Sequence, residues 1–219
     1  MSSAEMSRSA ARRLLALVAA VTTVACLGAS PANAAGSGDG SLLGCGYAAS
    51  NPFLRFLDPL PYTLMPDGGF EAGGAGWKLS NGAKVVAGNE PWNASGPGLR
   101  SLMLPRGSSA TSPPMCMGLV LPVVRFFSSG GNLLSYMQVD ALYRDAAGRQ
   151  QSVTLLPVGL PSAGWVPSLP MLQLGGALNA LTLNGLTTDI QLRFTPRGGL
   201  FGSGTWKIDD VYVDPWKVV

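Results

Sequence analysis

From Trp77 onward, runs of about five to twelve residues with alternating apolar side chains are cut repeatedly by turn signals, and no stretch of this body sustains a helical period. That pattern confines the chain to β-structure, because side chains in a strand alternate faces with period two while a helix needs apolar residues three and four apart. The runs predict strands over 76–80, 83–88, 100–104, 118–128, 133–144, 150–158, 169–175, 187–195 and 205–213. Between them lie Asn81-Gly82, Gly96-Pro97-Gly98, Gly130-Gly131, Ala147-Gly148, Pro161 to Gly164 and Pro196 to Gly199. Asn81-Gly82 is the strongest hairpin signal, since both residues accept the positive φ of a tight turn. Leu172 to Leu186 is rich in Leu and Ala but is broken by Gly175-Gly176 and Gly185. Eight or nine strands with regular turns predict an all-β fold: a two-sheet antiparallel β-sandwich, most simply a jelly roll.

Residues 1–34 read as a signal peptide. Arg8, Arg12 and Arg13 precede the apolar run Leu14 to Leu27, and Ala32-Asn33-Ala34 supplies a small-x-small cleavage site after Ala34. Cys26 also invites a lipoprotein reading, but Thr23 stands where such signals carry a large aliphatic residue, so ordinary secretion is preferred. Of 15 basic and 12 acidic residues, Arg8, Arg12, Arg13 and Glu5 leave with this segment, so the mature charge is close to neutral. No basic run remains, which argues against a nucleic-acid partner. No later apolar stretch escapes interruption by Pro, Gly or Arg, so no transmembrane segment is expected in the mature chain. Residues 35–60 read as an N-terminal arm packed along the body, with Phe53 to Leu57 offering apolar side chains on both faces. Residues 61–219 form the β-sandwich domain.

The mature chain holds Cys45 and Cys116. In an exported protein two cysteines most simply form one disulfide, and closing a loop of about 70 residues stabilises by roughly 4 kcal/mol in the chain-entropy description. Free thiols or intermolecular pairing are the alternatives.

The sequence has no histidine. Ser-His-Asp and Cys-His nucleophiles are therefore excluded, together with His-based metal sites. The glycines sit in turns rather than at strand-to-helix junctions, so none forms a phosphate cradle. The mature chain has only two glutamates, Glu71 and Glu90. Paired-carboxylate catalysis would need two acids facing one cleft, and Glu71 with Asp209 is the pair that meeting chain ends would supply. No catalytic residue is assigned.

Two stretches carry a family likeness. Gly68-Gly69-Phe70-Glu71, followed by Trp77, opens the body, and Trp206-Lys207-Ile208-Asp209-Asp210-Val211 closes it. Together they resemble the two ends of secreted carbohydrate-binding modules of the galactose-binding-like jelly-roll type, framing residues 62–214. The resemblance implies a non-catalytic module whose end strands meet and whose partner is an extracellular glycan or cell-surface polymer. It also implies a structural calcium held by Glu71 and Asp209, with backbone carbonyls supplying much of the shell; Gly96–Ser101, where such modules often add an acidic ligand, has none, which leaves Asp67 or Glu90 to compensate. The other reading of this pair is that both carboxylates accept backbone hydrogen bonds and tie the chain ends together. Alternation in the closing strand puts Trp206, Ile208 and Tyr212 on one face with Asp210, and Lys207, Asp209, Val211 and Val213 on the other.

A sugar site needs an aromatic platform and planar polar groups. In 133–144, Met137, Val139, Ala141 and Tyr143 alternate inward, leaving Tyr136, Gln138 and Asp140 outward. In 187–195, Ile190, Leu192 and Phe194 alternate inward, leaving Gln191 and Arg193 outward. Tyr136, Gln138, Asp140, Gln191 and Arg193 are the candidate ligand-binding residues; an ordinary solvated sheet face is the plain alternative. Trp77 and Trp206 read as core. Trp92 and Trp165, in Pro-flanked segments, read either as ligand contacts or as caps on the sandwich. The expected function is a secreted carbohydrate- or surface-polymer-binding protein. A structural or adhesive exported protein is the first rival, and a carboxylate-dependent glycoside-active enzyme the second.

Overall fold

The computed structural model describes residues 47–118, 123–145, 147–172 and 187–214. Its strands are β1 (Thr63–Leu64), β2 (Lys78–Ser80), β3 (Lys84–Ala87), β4 (Arg100–Leu104), β5 (Ser109–Thr111), β6 (Met115–Gly118), β7 (Val123–Gly130), β8 (Ser135–Arg144), β9 (Gln150–Thr154), β10 (Ser162–Pro167), β11 (Thr187–Gly198) and β12 (Trp206–Asp214). Among the described residues they make two six-stranded antiparallel sheets. The first runs β10-β7-β12-β4-β3, with β1 beside the far half of β12. The second runs β2-β5-β11-β8-β9, with β6 continuing along β11 beyond β5. This is the expected antiparallel sandwich of jelly-roll type. Among the described residues no helix is long and apolar enough to cross a membrane.

The interior follows the alternation of β8 and β11. Met137, Val139, Ala141, Ile190, Leu192 and Phe194 are buried against Leu102, Leu104, Phe126, Trp206 and Ile208 of the other sheet. Burying each such large side chain stabilises by about 1.5–3 kcal/mol. Phe126 meets Phe194 edge-on at 5.2 Å between ring centres, so one aromatic pair joins the two sheets. Trp77 is core as expected: it lies 5.0 Å from Phe70 and donates its indole N–H to the Pro66 carbonyl at 3.0 Å. Trp206 is fully buried and donates to the Ser203 carbonyl at 2.9 Å.

The opening turn and the closing strand meet. The Met65 N–H donates to the Val211 carbonyl at 2.9 Å, and the Val211 N–H donates to Gly68 at 3.0 Å. A Cβ on Gly68 would stand 2.7 Å from the Val211 oxygen, so this approach requires glycine. The expected alternation of β12 fails at its middle. The ladder with β7 shifts between Asp209 and Tyr212, and Asp210 has a φ of 48°. This bulge moves every later side chain by one position. Val211 and Val213 therefore join Trp206 and Ile208 in the core, while Tyr212 turns to the outer face.

The arm also differs from a plain tether. Residues 50–62 close on themselves through paired hydrogen bonds between Ser50 and Tyr62, with a short 3-10 turn at Leu54–Phe56 between. This loop lies on the outer face of the first sheet and builds a second aromatic core. Phe53 stacks on Phe127 at 5.3 Å and meets Tyr62 and Tyr212 edge-on. Trp92 packs on Phe56 and Phe127 at 5.1 Å each, so it caps this sheet. Trp165 is partly buried against the same cluster. Arg125 shares the outer face with Phe127, as the alternation predicts, and is buried with its guanidinium 2.6 Å from Asp58 and 4.1 Å over the Phe53 ring. It also donates to the Ser168 carbonyl.

Four stretches differ from expectation. The single strand expected at 118–128 is two, β6 and β7, with 119–122 outside the described residues. β5 and β6 flank Pro113-Pro114, and the polar run Ser108 to Ser112 gave no apolar alternation to read. β10 occupies part of the stretch read as a turn at Pro161 to Gly164. It pairs only with β7, at the edge of its sheet, where Gly and Pro are tolerated. Of the stretch expected at 169–175, Met171 and Leu172 make isolated bridges to Val124 and Leu156. Residues 1–34, read as a signal peptide, together with Cys45, 173–186 and Trp216 lie outside the described residues.

Candidate functional site

The five candidate ligand residues fall on one surface, the outer face of the second sheet. Along β8 and β11 the register sets Tyr136 opposite Arg197, Gln138 opposite Thr195, Asp140 opposite Arg193, and Leu142 opposite Gln191. β9 brings Thr154 opposite Asp140. From Tyr136 to Asp140 the strip is about 13 Å long at strand rise.

Asp140 organises the strip. Its Oδ2 accepts from Arg193 at 2.9 and 3.3 Å, and its Oδ1 from Thr154 at 2.7 Å and Gln138 at 2.8 Å. The residue is only 2% exposed. Burial pushes its carboxyl up, but the Thr154, Gln138 and Arg193 hydrogen bonds outweigh it and hold the group below the usual carboxylate range. The ionised form is thus fixed in place. The Arg193 side chain is 38% exposed, and three of its five N–H groups point elsewhere than at Asp140. Those are donors for an external hydroxyl or carboxylate. Gln191 is anchored through Nε2 to the Ser112 carbonyl at 2.8 Å, leaving its own carbonyl as an acceptor.

Tyr136 is half-buried. A Cβ on Gly198 would lie 3.1 Å from its Cδ1 and Cε1, so the ring rests against the glycine backbone. At the other end of the strip a groove of about 390 Å³ is lined by Leu142, Arg144, Gln150, Asp189 and Gln191. Sequence alternation located the strip but missed Thr154, whose outward position in β9 was the available signal.

The acids near the chain ends are arranged differently from expectation. Glu71 is exposed, and its Oε1 accepts the Leu99 and Arg100 N–H groups at 2.8 Å each. Asp209 is fully buried and accepts from the Glu90 N–H at 3.0 Å and the Asp210 N–H at 2.9 Å. Glu71 and Asp209 therefore bind separate backbone segments and share no hydrogen-bond partner. The acids that gather are Glu90, Asp209 and Asp210, each no more than 1% exposed. Glu90 accepts from Trp92 at 2.5 Å and Ala94 at 2.6 Å, while Asp210 accepts from the Ser95 N–H and hydroxyl. Burial above all, with the neighbouring acids adding to it, pushes Asp209 up to about 8. Burial likewise pushes Asp210 up to about 6, with Glu90 contributing. Among the described residues no group of three or more His, Cys, Asp or Glu side chains is arranged to hold a metal ion. The sequence pointed to Glu90 as one of only two glutamates after residue 34 and, with Asp67, as an acid that could add to a calcium shell. The bulge at Asp210 that gathers these acids left no sequence mark beyond the Asp-Asp pair.

No protein-family model matches the sequence, and no curated protein does. Solved structures resemble it at low identity. The CBM22-1 xylan-binding domain from Paenibacillus barcinonensis Xyn10C is 13% identical over 69% of this chain and 94% of its own, with a TM-score of 0.48. The C-terminal family 22 carbohydrate-binding module of Clostridium thermocellum Xyn10B is 15% identical over 69% of this chain and 93% of its own, at 0.45. TmCBM61, solved with β-1,4-galactotriose, is 19% identical over 70% of this chain and 98% of its own, at 0.38.

Proposed function

We propose that this chain is an exported, non-catalytic module that binds a carbohydrate or surface polymer along the outer face of its second sheet. One observation carries the reading. The strip Tyr136, Gln138 and Asp140, flanked by Arg193 and Gln191, combines an aromatic ring with polar groups already locked by one another. Pre-organised polar groups lose little freedom on binding, and their remaining donors and acceptors suit the hydroxyls of a sugar. A plain solvated face has no need to bury an ionised aspartate at its centre.

The enzymatic reading is weaker. The two acids on this face, Asp140 and Asp189, are separated by four residues of strand, about 13 Å. That exceeds the carboxylate spacing of glycoside hydrolysis, about 5–9.5 Å. Asp209 is fully buried. For Glu71 and Asp209 we favour the tying role over calcium, because both spend oxygens on backbone N–H donors.

The Cys45–Cys116 bridge belongs to the same proposal. Its support is Tyr47, two residues after Cys45, whose hydroxyl accepts the Cys116 N–H at 3.1 Å. Two reactive thiols in unfolded, unreduced protein would refute it. The binding reading itself is tested by a glycan array probed with the mature chain. Saturable retention on a polysaccharide, lost with Arg193→Ala, is the expected result. Retention that Arg193→Ala leaves untouched would move the site elsewhere.

A further inference from the structure

One end of the sandwich presents apolar side chains outward. The connection from β7 to β8 (131–134) and that from β11 to β12 (199–205) are bonded to each other: the Gly199 N–H donates to the Leu134 carbonyl at 2.9 Å, and the Leu200 N–H to Leu133 at 3.3 Å. This sets Leu133 and Leu134 beside Leu200 and Phe201. They are 69, 66, 61 and 88% exposed. Single exposed apolar residues are ordinary, but four on two joined loops make a patch. Arg106 and Arg197 line an open groove of about 660 Å³ with Leu200 and Phe201. Arg106 lies over Gly202, where a Cβ would stand 2.5 Å from its Cδ and Nε. Neither guanidinium forms an ion pair among the described residues. No acid occurs in 105–108, 130–135 or 196–205.

We propose that this end docks on an anionic phospholipid surface, with Phe201 and the three leucines entering the headgroup–acyl boundary and Arg106 and Arg197 meeting lipid phosphates. The two halves of the patch select this partner together. A soluble acidic polysaccharide would use the arginines but leave four apolar side chains in water. A second copy of this chain would bring the same two unpaired arginines against these. An interface that is apolar below and anionic above satisfies both. The inference uses none of the five residues of the glycan strip; Arg197 does stand opposite Tyr136, so the Leu200/Phe201 variant, clear of that strip, is the one that separates the two readings.

Sedimentation of the mature chain with phosphatidylglycerol–phosphatidylcholine vesicles, and with phosphatidylcholine vesicles alone, tests it. Binding is expected to the first and to fall with added salt. The double substitutions Leu200→Ser with Phe201→Ser, and Arg106→Gln with Arg197→Gln, are each expected to weaken it by about tenfold or more, with melting temperature unchanged in the exposed apolar pair. Absence of binding to either vesicle would overturn the proposal. So would equal binding by wild type and the Leu200/Phe201 variant. Concentration-dependent dimerisation abolished by that same variant would assign the patch to self-association instead, and retention on a soluble acidic polysaccharide that the variant preserves would assign it to glycan.

Discussion

Outward from the first sheet, Arg125 and Phe127 lie beneath Phe53, Tyr62 and Trp92; outward from the second, Arg193 and Asp140 face no described segment. Each sheet carries an arginine–aspartate pair on its outer face, with contacts of 2.6 and 2.9 Å. Arg125 is buried with its partner, stacked on an aromatic ring and bonded to a carbonyl. Arg193 keeps more than a third of its side chain in solvent. The same chemistry thus serves two ends. Under the arm it closes a surface, and on the open sheet it leaves donors available. That contrast is the reason the proposed binding site is set on the second sheet.

Breaking each pair measures the difference. Arg125→Ala removes the partner of a buried aspartate and is expected to destabilise by about 3–5 kcal/mol in chemical denaturation. Arg193→Ala is expected to cost about 1 kcal/mol, since its side chain is partly solvated and Thr154 and Gln138 still hold Asp140. Equal losses from the two substitutions would erase the distinction between a closed and an open face.

The carboxyls sharpen the comparison through pH. Asp58 and Asp140 sit below their usual range, so the stability they add is present above the unfolded value and is lost as pH falls through their folded values. The buried acids of the bulge work oppositely. Asp209 and Asp210 are raised to about 8 and about 6, so the folded state holds protons that the unfolded chain releases from about pH 4 upward. Stability is therefore expected to fall by several kcal/mol between pH 5 and 8, at about 1.4 kcal/mol per pH unit for each proton the folded state retains. Asp210→Asn leaves one oxygen to accept the Ser95 N–H and sets its amide N–H against the Ser95 hydroxyl, which can rotate to accept, so it should flatten the lower part of that decline. A melting temperature that rises across this interval would contradict the burial of these acids.

Much of the open face was legible in the sequence because β8 and β11 are long and strictly alternating. Met137, Val139 and Ala141 fixed which side Tyr136, Gln138 and Asp140 must take. The closed face was less legible. That Arg125 and Phe127 share a side could be read, but their burial depends on Phe53 and Tyr62, more than sixty residues earlier in the chain. No local pattern encodes that contact. The closing strand misled for a different reason: Asp210 adopts a left-handed φ, so Tyr212 left the side that strict alternation assigned. Glu71 and Asp209 each accept backbone N–H groups, but from separate segments, Leu99–Arg100 and Glu90 with Asp210, a separation that the end motifs alone do not encode.

The smallest expected effect is that of chelation. With Glu71 and Asp209 occupied by separate backbone donors, excess chelator should leave the melting temperature where it is. A lowered value restored by calcium would return both residues to a metal shell, by the mass action of a ligand selective for the folded state.

The central claim is that the second sheet, whose outer face no described segment covers, is the binding face, and Tyr136 tests it most directly. Titration of a polysaccharide retained on the array, monitored against wild type and Tyr136→Ala in parallel with thermal unfolding, should show affinity weakened by about 5- to 150-fold, equivalent to about 1–3 kcal/mol, with the melting temperature nearly unchanged. Unaltered affinity in Tyr136→Ala, or the same loss from a substitution at Trp92 on the covered face that leaves the fold intact, would contradict it.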